Sequence, residues 1–347
     1  VVRQLKVIAV ALCLASPVAA HHSDAGVDMQ ALVTVEGRVT EFNWRNPHVY
    51  FTVETNGAAE PSVEWEFQLG STITVTRMGW TADSLRAGDL VTVRAHPAEN
   101  GRPYGILEAV WKEDGALPAS FASGSSEPQL ERPDAIESAT TLEGIWMADT
   151  SKLVSYPGGF DGFFDAELEL TEKGAAAKAA YDPFSEENPE TTCVGRPTPA
   201  MIMSSGIYPL QIELDEAREI VFIRSEFWDE ERVVYMDGRG HPDAGERQPS
   251  GHSIGRRDGN VLVVDTTNFS DHRSPYQIGV PSGAQKHVVE RYRLTEAGTR
   301  IVVEFTLEDP EYIAVPLTHS RELIHSPHMQ FSRFNCDPEA TRRFAIQ

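Results

Sequence analysis

The chain is 347 residues long, 41% apolar, 24% charged and 9% aromatic, near globular averages, which excludes collagen-like, coiled-coil and wholly disordered architectures. Thirty Lys and Arg stand against 52 Asp and Glu, a formal charge of −22. No run of basic residues gathers a positive face, so the charge argues against nucleic acid or anionic lipid as a partner.

Arg3 and Lys6 precede the apolar run Val7–Ala15, and Ser16-Pro17-Val18-Ala19-Ala20 follows. A basic start, an apolar core and small residues before a cut describe a secretory signal over residues 1–20, cleaved after Ala20. The run is shorter than the roughly 20 residues a membrane span needs. A soluble periplasmic or secreted protein is expected. Cleavage there would begin the chain at His21-His22-Ser23. An α-amine, whose pKa is near ~7.7, and adjacent imidazoles suit Cu(II), and His48 in Asn46-Pro47-His48 offers a third nitrogen. The bland alternative is a solvated chain end. Removal of Cys13 with the signal leaves Cys193 and Cys336. In an oxidising compartment one disulfide between them is expected, against the alternative of two buried thiols.

Residues 21–114 read as a small β unit. Val63-Glu64-Trp65-Glu66-Phe67-Gln68-Leu69 alternates apolar and polar, the period of a half-buried strand. Val33–Val39, Val49–Val53, Leu90–Arg94 and Gly105–Trp111 complete five short strands, with a helix near Ser71–Gly79. That set predicts an OB-like five-stranded barrel, with Gly37 placed for a bulge. Residues 115–140, rich in Ala, Ser, Pro, Gly and Glu, read as a linker.

Residues 141–347 read as a second β unit. Its strand candidates are Ala166–Leu170, Leu210–Leu214, Glu219–Phe227, Arg232–Met236, Asn260–Phe269, His287–Leu294 and Ile301–Leu307. Asp237-Gly238, Asp258-Gly259 and Ala297-Gly298 supply reversals, and Glu172–Ala180 reads as a helix. Seven or eight strands with short connections predict an antiparallel meander closed as a lipocalin-like β-barrel, or a sandwich, so the fold class is all-β.

Gly251-His252-Ser253-Ile254-Gly255 matches the G-x-S-x-G pattern of a nucleophile elbow, but no strand precedes it and no helix follows. His319, His325 and His328 include a pair three apart, with Pro327 between arguing for a loop rather than a zinc-binding helix face. More informative are polar residues inside strands. Asp265 shares a face with Val261 and Val263, Glu226 with Ile220 and Phe222, and Glu290 sits between Val288 and Tyr292. Carboxylates carried into a barrel interior gain pKa values suited to proton transfer. The alternative is solvent exposure or structural pairing with Arg224, Arg232 and Arg291.

His21-His22-Ser23, Val35-Glu36-Gly37, Trp44-Arg45-Asn46-Pro47-His48, Gly79-Trp80 and Leu85–Asp89 resemble a class of small uncharacterised secreted bacterial domains. Arg232–Arg239, Gly251–Gly255, Leu262–Thr266, Val289-Glu290-Arg291 and Glu308-Asp309-Pro310 are similar to a second uncharacterised secreted group. The chain departs from that group at Arg257, where the group carries Trp. The resemblance implies the two-barrel architecture and secretion, and no reaction.

These readings lead to a periplasmic or secreted binding protein whose second barrel encloses a small, largely apolar molecule. Glu226, Asp265, Glu290 and Arg291 are expected to line the lumen, with His252 at its rim. Were it an enzyme of isomerase or hydratase type, Asp265 or His252 would be the general base and Arg291 would stabilise negative charge. One alternative is a copper-binding protein using His21, His22 and His48, and another is a structural envelope adaptor. No cofactor other than copper is implied.

Overall fold

The computed structural model describes residues 26–55, 62–113, 115–117, 136–154, 156, 159–183, 185–243 and 245–345. The signal expected over 1–20, His21, His22 and most of the expected linker lie outside the described residues.

The first strands are β1 (Val33–Asn43), β2 (Tyr50–Thr55) and β3 (Glu64–Gln68), followed by α1 (Thr72–Arg77), β4 (Leu90–Pro97), β5 (Tyr104–Lys112) and β6 (Gly115–Ala116). Antiparallel neighbours run β3-β2-β1-β4-β5-β6, and a parallel pairing of β3 with β5 closes the first five into a barrel. This is the expected OB-like arrangement, with the helix between β3 and β4. Alternation buries Val35 and Val39 of β1 against Phe51, Val53, Phe67 and Val93. Ser71 starts α1 by accepting a hydrogen bond from the Thr74 N–H at 3.2 Å. The expected bulge in β1 lies between Val39 and Glu41, not at Gly37. Gly37 instead permits close approach, because a Cβ there would stand 2.2 Å from the Glu54 carbonyl oxygen.

The second unit contains β7 (Gly144–Ala148), α2 (Gly159–Glu167), α3 (Glu172–Ala179), α4 (Ala200–Met203), β8 (Leu210–Asp215), β9 (Ile220–Ser225) and β10 (Glu231–Tyr235). It continues through β11 (His252–Asp258), β12 (Val261–Thr267), β13 (His287–Leu294), β14 (Arg300–Glu308) and β15 (Leu317–His325) to α5 (Pro338–Ala345). Strands β7 to β15 form a closed nine-stranded barrel. The stretch expected as a strand at Ala166–Leu170 overlaps the end of α2, whose Phe163 and Phe164 are buried in the barrel core. Strands β7, β11 and β15 had no counterpart among the expected ones.

One pairing breaks the antiparallel meander. β10 and β11 are parallel, with Val234 opposite Ser253 and Tyr235 opposite Ile254. A tight hairpin cannot join parallel neighbours, so Asp237-Gly238 does not make the reversal its sequence suggested. The chain must travel back along the wall, and this return brings His241 onto the outer face.

The lumen is filled. Leu210, Ile223, Val234, Leu262, Val264, Val288, Tyr292, Ile301, Val303 and Leu323 have no exposed surface, which a void admitting water would not allow. Packing of this kind is a core, not a container.

The two barrels meet through Ile73, Tyr208, Phe227, Trp228 and Phe334, a separate apolar cluster that Cys193 and Cys336 flank. These cysteines form the expected disulfide, 143 residues apart. It fastens the segment after β15, which reaches the first barrel through an Asn46–Cys336 bridge and the Arg45–Asp337 ion pair at 2.9 Å.

Candidate functional site

Strand register decides which polar residues share a face. On β12 the inward set is Leu262, Val264 and Thr266, and Asp265 therefore points outward, its side chain 40% exposed. Asp265 stands opposite Ile254 of β11 and Val289 of β13. One step along the same outer face, His252 stands opposite Thr267, and His287 opposite Glu308. His252, Asp265 and His287 thus come from three adjacent strands, and His241 descends on them from the returning loop.

The four side chains are joined. His241 Nδ1 lies 3.0 Å from His252 Nδ1, and His241 Nε2 lies 3.1 Å from Asp265 Oδ1. His287 Nε2 approaches the same Asp265 oxygen at 3.0 Å, and its Nδ1 is 3.5 Å from Glu308 Oε2. Tyr235 stacks on the His252 ring with centroids 5.2 Å apart, and Arg239 covers Tyr235 at 3.9 Å. The result is a chain of imidazole, imidazole, carboxylate, imidazole and carboxylate along the barrel wall.

Their electrostatics diverge. Burial lowers the pKa of His252, and the nearby His241 and Arg239 lower it further. The hydrogen bond to Asp265 raises the pKa of His287 against the effect of burial, with help from Glu308. The same bond holds Asp265 below the ordinary carboxylate range. The two shifts run in opposite directions, towards the neutral form for His252 and towards the charged form for His287, the division of labour that acid–base sites use. Among the described residues no group of three or more His, Cys, Asp or Glu side chains is arranged to hold a metal ion. Both Nε2 atoms that reach Asp265 are spent on one oxygen.

The other expected site residues go elsewhere. Arg291 lies on the outer face, paired with Asp258 at 3.1 Å. The expectation that Asp265 and Arg291 project into the lumen is corrected, because they fall on the opposite parity to the core residues of their strands. Glu226 is also outside the lumen. It follows β9, is wholly buried between the barrels, and accepts hydrogen bonds from Arg77 Nη2 at 2.8 and 2.7 Å and from the Ser332 N–H at 2.6 Å. Glu290 does point inward, yet it is paired with Arg232 and accepts from Thr198 at 2.6 Å and Tyr292 at 3.1 Å. With no space beside it, that network stabilises the core rather than receiving a ligand. Ser253 also points inward and is 2.9 Å from the Thr266 hydroxyl, so it is no exposed nucleophile.

His48 lines an open cleft of about 210 Å³ with Asn43, Arg45, Tyr50, Glu339 and Ala340. Burial lowers its pKa to about 4, although a hydrogen bond with the Leu69 carbonyl pulls the other way. His319 packs on Phe163 and Phe305, and His325 on Trp146, as separate aromatic contacts.

His287 was missed as a site residue. It appears in sequence only as the first residue of an alternating strand, and its relation to Asp265 exists only once β12 and β13 are in register. His241 carries a weaker signal, a histidine following Arg239-Gly240 in a long connection.

Residues 9–108 match a family of unknown function, DUF6152. No curated protein matches the chain. Among solved structures, the wild-type fluorescent protein UnaG is similar at 12% identity over 53% of this chain and 96% of that one, with a TM-score of 0.23. A point mutant of UnaG is similar at 11% identity over 53% and 95%, with a TM-score of 0.24.

Proposed function

We propose that the second barrel carries an acid–base site for proton transfer on a small molecule, located on its outer wall. His252 is the base, His287 the protonated partner, and Asp265 with His241 holds the two in register. The observation that supports this most is the single Asp265 oxygen bridging His241 and His287 while His241 also meets His252. A neutral imidazole accepts a proton from a carbon or oxygen acid, and the imidazolium two strands away along the same row stabilises the negative charge. Isomerisation and hydration are the reaction types this serves. The substrate lies against the outer wall, because the lumen is occupied by side chains.

The test is proton–deuterium exchange in heavy water, followed by NMR, over a panel of enolisable ketones, 2-oxo acids and 2-hydroxy acids. Exchange with at least one compound is expected, falling on the order of a hundredfold in His252→Gln. A panel in which wild-type protein and His252→Gln exchange at the same background rate rejects the assignment.

A second reading, copper capture by His21, His22 and His48, rests on one placement. Val27 packs with Tyr50, whose ring is 6.3 Å from that of His48. The start of the described chain is therefore near His48, whose lowered pKa keeps it neutral and ready to donate a lone pair. Copper titration of protein beginning at His21, compared with protein bearing one extra leading residue, tests it. Equal affinities reject it.

A further inference from the structure

A long connection of residues 268–286 joins β12 to β13, and its Phe269, Tyr276, Ile278 and Val280 pack into the core of the second barrel. At its foot stands Lys286, one of six lysines in the chain. It is 2% exposed, and its ammonium nitrogen makes no hydrogen bond among the described residues. The Phe269 and Tyr276 rings wall it at 4.4 and 5.0 Å. Three more buried polar atoms are without a partner among the described residues: the Tyr276 hydroxyl, the Ser282 hydroxyl and Asp309 Oδ1. The Asp309 carboxylate is held by backbone N–H groups, its Oδ2 accepting from Gly283 at 2.6 Å, with a further backbone hydrogen bond from Glu311.

Buried polar groups are nearly always satisfied, and orphans along one connection and at Asp309 beside it point to a partner that is not part of the chain. Three are donors and one is an acceptor, and the donors ride on that connection or at its foot. A core that needed only packing would place apolar side chains here. Long loops without regular structure commonly serve as lids or binding loops.

We propose that Lys286, Tyr276, Ser282 and Asp309 become a site for a small carbonyl compound, whose carbon the Lys286 amine attacks, once the 268–286 loop lifts and opens space that the closed packing does not leave. The amine lone pair forms the N–C bond while the C=O π pair moves to oxygen. The Tyr276 and Ser282 hydroxyls stabilise that oxygen as it takes up the proton the nitrogen releases. Asp309 relays a second proton, water leaves, and the imine remains: amine plus carbonyl gives imine plus water. Burial lowers the Lys286 pKa to about 7, with Asp309, Glu230 and Glu290 drawing it back upward. The free-amine fraction at neutral pH is therefore far above that of an ordinary lysine.

The test uses the intact folded protein at pH 7 with limiting acetaldehyde or, in a separate arm, pyruvate, and sodium cyanoborohydride to reduce any imine to a stable amine. Peptide mass spectrometry then maps the adducts. Labelling of Lys286 is expected to exceed that of Lys152 and Lys173, which are 54% and 59% exposed, by at least tenfold in one arm. Labelling confined to those exposed lysines, with Lys286 unmodified in both arms, overturns the proposal. Because the readout is wild-type protein, it does not depend on a variant folding. His252→Gln should label as wild type does, which separates this site from the outer cluster.

Discussion

Lys286 and His287 are consecutive in the chain and occupy opposite sides of the barrel wall. His287 faces outward to Asp265 and Glu308, while Lys286 is buried between the Phe269 and Tyr276 rings. Glu308 and Asp309 repeat the division across the strand pair, the first at the outer cluster and the second at the buried lysine. The two-residue period of a strand thus sets two polar groups back to back through one layer of backbone. A one-residue slip of β13 against its neighbours would exchange them.

Asp265→Asn removes the charge that raises the His287 pKa. The alkaline limb of any pH–rate profile should move to lower pH, while the acid limb, set by His252, stays in place. Stability gives the same sign. His287, raised above 6.5, contributes fully below that value and loses its contribution as pH rises through its folded pKa. Asp265, lowered from 3.8, contributes above that value and loses it as pH falls. The substitution should therefore cost most stability between about pH 4 and 6.5. Histidine NMR titration checks it, and an unmoved His287 resonance would sink the coupling.

Lys286→Met should change how stability depends on pH. The Lys286 pKa is lowered from 10.5 to about 7, so between these values the unfolded chain binds more protons than the folded one. Wild-type stability therefore gains a rising component over that interval, and the charged, buried lysine is most costly below it. The variant should lack this rise and gain more over wild type at pH 6 than at pH 10. Urea unfolding at both pH values measures it, and an identical difference at both would contradict the burial.

Arg77→Met leaves the Glu226 carboxylate wholly buried with the Ser332 N–H as its remaining close donor. Removing one partner of a buried pair typically costs about 3–5 kcal/mol. Arg77→Met with Glu226→Leu should recover much of that loss. A single variant within ~0.5 kcal/mol of wild type by denaturant unfolding would show the pair to be dispensable.

Replacing Cys193 and Cys336 by Ser should lower stability by about 2–4 kcal/mol, because the bond closes a long loop in the unfolded chain. The chain after β15, tied to the first barrel near Asn46, should then become sensitive to limited proteolysis. Equal cleavage in the variant and in oxidised wild type would mean that Phe334 and the Arg45–Asp337 pair hold it alone.

Period-two alternation was enough to read the β class, the five-stranded first barrel and most strands of the second, because a half-buried strand must alternate. Two cysteines surviving an expected signal were enough to suggest their pairing. Which face of β12 looks inward was beyond that reading. Val261, Leu262, Val263 and Val264 place apolar residues on both faces, so Asp265 could be assigned to either side until its neighbours were in register. The cluster of His241, His252, Asp265 and His287 draws on four separate stretches of chain. It exists because β10 and β11 run parallel and force the connection to return across the wall. Alternation is a local property that any short stretch displays. Sidedness and assembly depend on closing the sheet, and only the tertiary structure decides them.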